Sequence, residues 1–150
     1  MFSAQAAYRF GAHTFTLAAQ KVTGDGDYAY GIDGGNTLFL NNSVARSDFN
    51  AEGEKSFQAR YDINMAVFGV PGLSFMTRYV TGSDAHTATT NSGKEWERDI
   101  EAKYVFQSGS AKNLSLRIRQ ATYRSSDGVY YGASSTDQLR LIAEYPLNIF

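Results

Sequence analysis

Apolar and polar residues alternate along most of this chain. In 56–68, SFQARYDINMAVF, Phe57, Ala59, Tyr61, Ile63, Met65 and Val67 share one face, while Gln58, Arg60, Asp62 and Asn64 share the other. A period of two over about ten residues is the mark of a β-strand with one apolar side. Six more segments pass the same test. Residues 3–10 align Ala4, Ala6, Tyr8 and Phe10, and residues 13–22 align Phe15, Leu17 and Ala19. Residues 73–81 align Leu73, Phe75, Thr77 and Tyr79. Residues 95–107 align Trp96, Ile100, Ala102, Tyr104 and Phe106, with Arg98 breaking the apolar set. Residues 114–124 align Leu114, Leu116 and Ile118, then the more polar Gln120 and Thr122. Residues 137–149 align Leu139, Leu141, Ala143, Tyr145, Leu147 and Ile149. No segment carries a helical period.

The connections sort by length. Gly11-Ala12, Gly69-Val70-Pro71-Gly72 and the stretch 108–113 are short, whereas 23–55, 82–94 and 125–136 are long or polar. Short and long alternate along the chain, as in barrels with short periplasmic turns and longer extracellular loops. That parity sets the direction, with the last strand running toward the periplasm. Phe57, Tyr79 and Trp96 then fall near the outer rim, and Phe10, Tyr104, Phe106 and Tyr145 near the inner rim. Two aromatic bands of this kind suit the two headgroup layers of a membrane.

The fold class expected is therefore all-β: an antiparallel up-and-down transmembrane β-barrel meander of about seven strands. Bacterial single-chain barrels have even strand counts, so seven strands imply a partial barrel, an open curved sheet with two unpaired edges. No run of about 18 apolar residues offers a membrane helix, but barrels cross with alternating strands and escape that test. Met1-Phe2-Ser3 opens in strand-like sequence with no export signal, so a longer parent chain is expected.

Composition narrows the function. The net charge of −1 gives no basic footprint for nucleic acid. There is no cysteine, and His13 and His86 are the only histidines, so neither disulfides nor thiolate metal sites are expected and no cofactor is implied. Glu97, Asp99 and Glu101 lie about 7 Å apart along one strand face, a spacing that reads as solvated lumen. Asp25-Gly26-Asp27 lacks the ligand pattern of a calcium loop and reads as a surface turn. No catalytic constellation emerges, and no enzyme activity is expected.

Several segments resemble the C-terminal region of the OprD family of outer-membrane porins. They are Asn42-Ser43-Val44, Ser47-Asp48-Phe49-Asn50-Ala51, Gly53-Glu54-Lys55-Ser56, Gly69-Val70-Pro71-Gly72-Leu73-Ser74-Phe75-Met76, Gly93-Lys94-Glu95-Trp96-Glu97-Arg98, Ala102-Lys103-Tyr104-Val105 with Gln107-Ser108-Gly109, Arg140-Leu141-Ile142 and Glu144-Tyr145-Pro146-Leu147. The resemblance runs in order through residues 1–150 and implies the last third of a single barrel domain. It implies an eighteen-stranded monomeric pore in the bacterial outer membrane, surrounded by lipid bilayer and lipopolysaccharide. The inward-folded loop of such a pore is expected upstream of this segment. Pro146 is expected to mark a bulge, since the apolar set leads to Ile149 rather than to Phe150.

The polar face carries Arg60, Arg78, Arg117, Arg119 and Arg140, with Arg9 on the first strand. Arginine is permanently charged and its fork matches carboxylates. A staggered row offers an anionic solute successive weak sites, and the resemblance implies a basic ladder of this kind. Arg117, Arg119 and Arg140 are its strongest candidates, Arg60 and Arg78 the next. Asp62, Glu97, Asp99, Glu101, Lys103 and Glu144 face the same way, so some arginines are expected to pair across strands, Arg78 with Asp62 and Arg119 with Glu101. The function expected is a diffusion channel for small anionic or zwitterionic solutes, carboxylates or amino acids. Its rival is a small self-contained β-barrel or β-sheet binding protein, against which the cost of burying five arginines in a narrow core counts.

Overall fold

A computed structural model of the chain describes residues 1–28, 40–126, 129 and 135–147. Seven strands form one antiparallel sheet in sequence order: β1 (Phe2–Phe10), β2 (His13–Lys21), β3 (Lys55–Asn64), β4 (Leu73–Ala85), β5 (Gly93–Val105), β6 (Ser115–Ser125) and β7 (Ser135–Glu144). The order β1 to β7 is linear, so β1 and β7 are both edges and the sheet does not close on itself. The self-contained closed barrel is not what these residues form.

Register carries the alternation across all seven strands. One outward row runs Ala6, Leu17, Ala59, Tyr79, Arg98, Thr122, Asp137, and the next runs Tyr8, Phe15, Tyr61, Thr77, Ile100, Gln120, Leu139. Phe2, Tyr8, Phe10, Leu17, Phe57, Leu139 and Leu141 on this face are each more than 60% exposed. Buried instead are Gln20, Ser56, Gln58, Glu95, Glu97 and Asp99, all from the opposite face. In water this distribution would leave apolar surface unburied and polar groups desolvated. Against hydrocarbon it is the expected one.

The rims carry aromatic pairs. Tyr79 stacks on Trp96 with centroids 5.7 Å apart, near the outer rim. Toward the inner rim, Tyr104 meets Phe106 edge-on at 5.1 Å and Phe15 packs on Tyr61 at 5.1 Å. His13 joins this inner group through a 2.7 Å hydrogen bond between its Nδ1 and the Tyr61 hydroxyl.

Two strand ends differ from expectation. The segment 56–68 stays extended only to Asn64. Met65–Phe68 then winds into a 3-10 turn, because the Asn64 side chain accepts from the Ala66 amide and Gly69 closes the turn at φ 85°. The segment 137–149 ends as a strand at Glu144, two residues before Pro146, which lacks the amide a ladder needs. The relation of Ile149 to Phe150 lies outside the described residues. In the other direction β4 reaches Ala85, past a register shift between Gly82 and Ala85, so the connection to β5 is only 86–92, shorter than 106–114 between β5 and β6, and the expected alternation of short and long connections does not hold there.

Candidate functional site

The inward face divides into two regions. Toward the short turns, Arg9, Arg60, Arg78, Lys103, Arg117 and Arg119 line one recess, with Asp62 and Glu101 as the carboxylates among the described residues that line it. Alternation puts these side chains inward, and register stacks them on neighbouring strands. Arg60 is paired in register with Arg78, and Arg78 with Asp99. Lys103 opposes Arg117, Glu101 opposes Arg119, and Arg119 opposes Arg140.

The ion pairs follow that register. Arg119 bonds Glu101 at 2.5 Å, as expected. Arg78 does not pair with Asp62: it bonds Asp99 at 2.6 Å, and Asp62 instead closes on Arg60 of its own strand at 2.6 Å. The cause is register, since Asp62 lies opposite Met76. Arg117 is shared more loosely, 3.2 Å from Glu144 and 3.7 Å from Glu101. Each of these arginines has a carboxylate neighbour, yet Glu101 serves two of them, and Arg9 and Lys103 add charge to the same recess.

Toward the long loops, the inward face is covered. Part of the connection between β2 and β3 folds back over it. Gln20 donates to the carbonyls of Asp48 and Phe49 at 3.0 and 2.8 Å, and Asn42 donates to Ser56 Oγ at 2.8 Å. Phe49 is fully buried. The amides of Arg46 and Ser47 each donate to Glu97 at 2.9 Å, and Ser47 Oγ donates to Glu95 at 2.8 Å. The Tyr123 hydroxyl also donates to Glu95. From β7, Arg140 reaches across and donates to the Ala45 carbonyl at 2.9 Å.

Gly82 is where the segment sits closest to the wall. A Cβ there would overlap the Glu54 carboxylate oxygen and press on the Phe49 ring, so this strand position needs glycine for the close approach. Glu54 is enclosed beside Glu95, and burial followed by that neighbour's charge pushes its carboxyl above the usual range. At the solvent edge the ends of the loop are tied by Glu52, whose carboxylate accepts from the Gly26 amide at 2.7 Å and whose own amide donates to Asp27 at 2.9 Å. The run around Asp25 thus helps to close the loop.

The expectations about the site divide accordingly. Arg60, Arg78, Arg117 and Arg119 come together in the recess, whereas Arg140, though opposite Arg119, holds the inward segment. Glu97 and Asp99 are not solvated lumen groups: both are fully buried, Glu97 beneath the amides of the segment and Asp99 against Arg78. The covering segment itself was not foreseen. Its traces in sequence are apolar Phe49 within the polar run 46–54 and Gly82 inside a strand.

Comparison with known proteins bears on this geometry. The sequence model of a family described as "outer membrane porin, OprD family" matches residues 1–149. Porin D of Pseudomonas aeruginosa is 48% identical over 168 residues, a match covering 99% of this chain and 38% of that protein. The porin-like protein GalP of Pseudomonas putida is 36% identical over 141 residues, covering 94% of this chain and 32% of that protein. Among solved structures, OpdN of Pseudomonas aeruginosa superposes with a TM-score of 0.88 at 47% identity, over 99% of this chain and 41% of that one. OprD of the same organism gives 0.85 at 48% identity, over 99% and 42%. The chain thus spans about two fifths or less of the length of the relatives it matches.

Proposed function

The chain belongs to the OprD family of outer-membrane porins, and from that membership we propose that it forms the C-terminal part of the wall of a substrate-selective diffusion channel for small carboxylates or amino acids. Such porins are outer-membrane channels and not enzymes. The observation that carries the solute class is the recess lined by Arg9, Arg60, Arg78, Lys103, Arg117 and Arg119 against two carboxylates. A solute carboxylate entering it meets several forks, each already shared with a wall carboxylate and Arg117 most loosely, and can exchange from one to the next without being trapped. Arg117, Arg119, Arg60 and Arg78 are the proposed binding residues. Arg140 contributes its charge at the height of Arg119 while bracing the segment that narrows the passage. An eighteen-stranded monomeric pore embedded among lipid bilayer and lipopolysaccharide completes the reading.

Uptake of a small carboxylate into vesicles carrying the porin tests it. Replacing Arg117, Arg119 and Arg140 together by Gln keeps size and hydrogen bonding but removes three charges. Carboxylate uptake is expected to fall about tenfold relative to a neutral sugar of similar size. Equal rates for the variant and the wild type would assign these arginines to pairing alone.

A further inference from the structure

Arg98 interrupts the apolar side of β5, and neither membrane crossing nor the lumen uses it. It is exposed on the outward face and makes no ion pair among the described residues. Its surroundings are not random. The outward column of β5 reads Lys94, Trp96, Arg98 before the apolar Ile100, Ala102 and Tyr104 begin. Lys94 is exposed, with its neighbours Gly93 and Glu95 buried, which fixes its outward parity. On β6, Arg124 lies directly opposite Trp96, so Arg98 and Arg124 are diagonal neighbours. Among the described residues two carboxylates are at hand: Asp137 bonds Arg124 at 3.0 Å, and Asp84, bonded to Lys55 at 2.8 Å, lies near enough to Lys94 to feel its charge. The stacked pair Tyr79 and Trp96, with centroids 5.7 Å apart, sits in the same outward patch, Tyr79 opposite Arg98 and Trp96 opposite Arg124.

Position and charge together point to an occupant. The row of Arg98, Thr122 and Asp137 is the last polar row before the apolar rows of β5 and β7 begin, on the side of the long loops. That is the level of lipid headgroups, where Trp and Tyr also settle. With Lys55 counted, four cations against these two carboxylates leave an excess positive charge facing lipid, which is unfavourable unless something anionic meets it. Two arginine forks suit a phosphate's oxygens in a way that single lysines do not. We infer that Lys94, Arg98 and Arg124, beside Trp96 and Tyr79, form a binding site for the phosphorylated headgroup of an outer-leaflet lipid. The inference rests on the orientation adopted above, with the long loops outside.

The test uses the porin as expressed in outer membranes, purified in detergent and titrated by native mass spectrometry with diphosphorylated lipid A and with its dephosphorylated form. The wild type is expected to prefer the diphosphorylated lipid by about tenfold or more. Arg98→Gln with Arg124→Gln should abolish the preference, and Arg98→Lys with Arg124→Lys should retain most of it. Lys112→Gln, which removes a charge from a short inner turn, should change nothing. Preference surviving in the double Gln variant, or falling equally in Lys112→Gln, overturns the site. Displacement of the lipid by equimolar inorganic phosphate overturns the lipid assignment. Should the double variant not assemble, Arg98→Gln alone is expected to lower affinity severalfold and Arg98→Lys to keep it, and equal affinities overturn the proposal. Conductance in bilayers without phosphorylated glycolipid separates the readings. A wild type that does not conduct refutes the channel, and a conducting Arg98→Gln variant with unchanged lipid preference refutes only this site.

Discussion

The inward column of β5 reads Glu95, Glu97, Asp99, Glu101, Lys103 from the long-loop end to the short-turn end. Its first three carboxylates are buried, Glu95 and Glu97 under residues 46–47 and Asp99 against Arg78. The last two groups line an open recess with four arginines from β3, β4 and β6. One face of one strand thus does two jobs. In the covered half, acids bind backbone amides and hydroxyls and serve as fasteners for the segment. In the open half, cations outnumber acids. A charge count over the whole face comes out balanced, but the balance is not local. Withdrawing Glu95 and Glu97 into the fastening leaves the recess more positive than its sequence suggests, because buried, amide-bonded carboxylates present little charge to a solute in the channel.

Removing the covering segment should break the contrast most strongly. Phe49→Ala deletes a fully buried ring and should cost about 3–5 kcal/mol, enough to unseat the segment without unpairing the sheet. Limited proteolysis within 40–54 and single-channel conductance should both rise, and unchanged values for both would mean that the segment is held elsewhere.

The face assignment beneath the contrast is sharpened by two neighbours on β7. Leu141, 79% exposed and outward, becomes costly as Arg by about 2–4 kcal/mol near the membrane centre. Arg140→Leu should leave barrel assembly nearly intact and lose only the 2.9 Å bond to Ala45, about 1 kcal/mol. Heat-resistant migration of the assembled barrel measures both, and equal losses would invert the faces.

The strands and their faces were legible in sequence because a period of two is a one-dimensional signal. The alternation of short and long connections was not, since 65–72 and 106–114 match 86–92 and 126–134 in length once the strands take their full extent. Register was not. Alternation tells which face Arg78 and Asp62 share, but the 3-10 turn at Met65–Phe68 and the turn after it set the β3–β4 register, which puts Asp62 opposite Met76, and the separate β4–β5 register brings Arg78 to Asp99. The covered region was least legible. A long connection of mixed polarity looks like any loop, and its docking depends on Gly82, Glu95 and Glu97, which are 28 or more residues from Glu54 along the chain. Burial of Glu97 followed from that docking, so acids that alternation places in the lumen are taken out of it.

A smaller effect follows from Glu54. Its carboxyl is raised by burial and by Glu95, so the seated segment holds a proton that the released one gives up above the ordinary carboxylate range. Seating is therefore fully favoured at pH below that range and weakens steadily as pH rises toward the raised value. Proteolysis of the segment should quicken between mildly acid and alkaline pH in the wild type and depend less on pH in Glu54→Gln. A wild-type rate independent of pH would place Glu54 in solvent.

The central claim is that charge on the covered half is spent on structure while charge on the open half governs permeation. The reversal potential across a planar bilayer under a salt gradient tests it most directly, with Glu97→Gln set against Arg117→Gln/Arg119→Gln/Arg140→Gln. The account predicts that Glu97→Gln stays close to the wild type's anion preference, whereas the triple variant shifts clearly toward cations. A shift toward anions in Glu97→Gln as large as the cation shift of the triple variant would show that both halves face the permeating ion alike, and would contradict it.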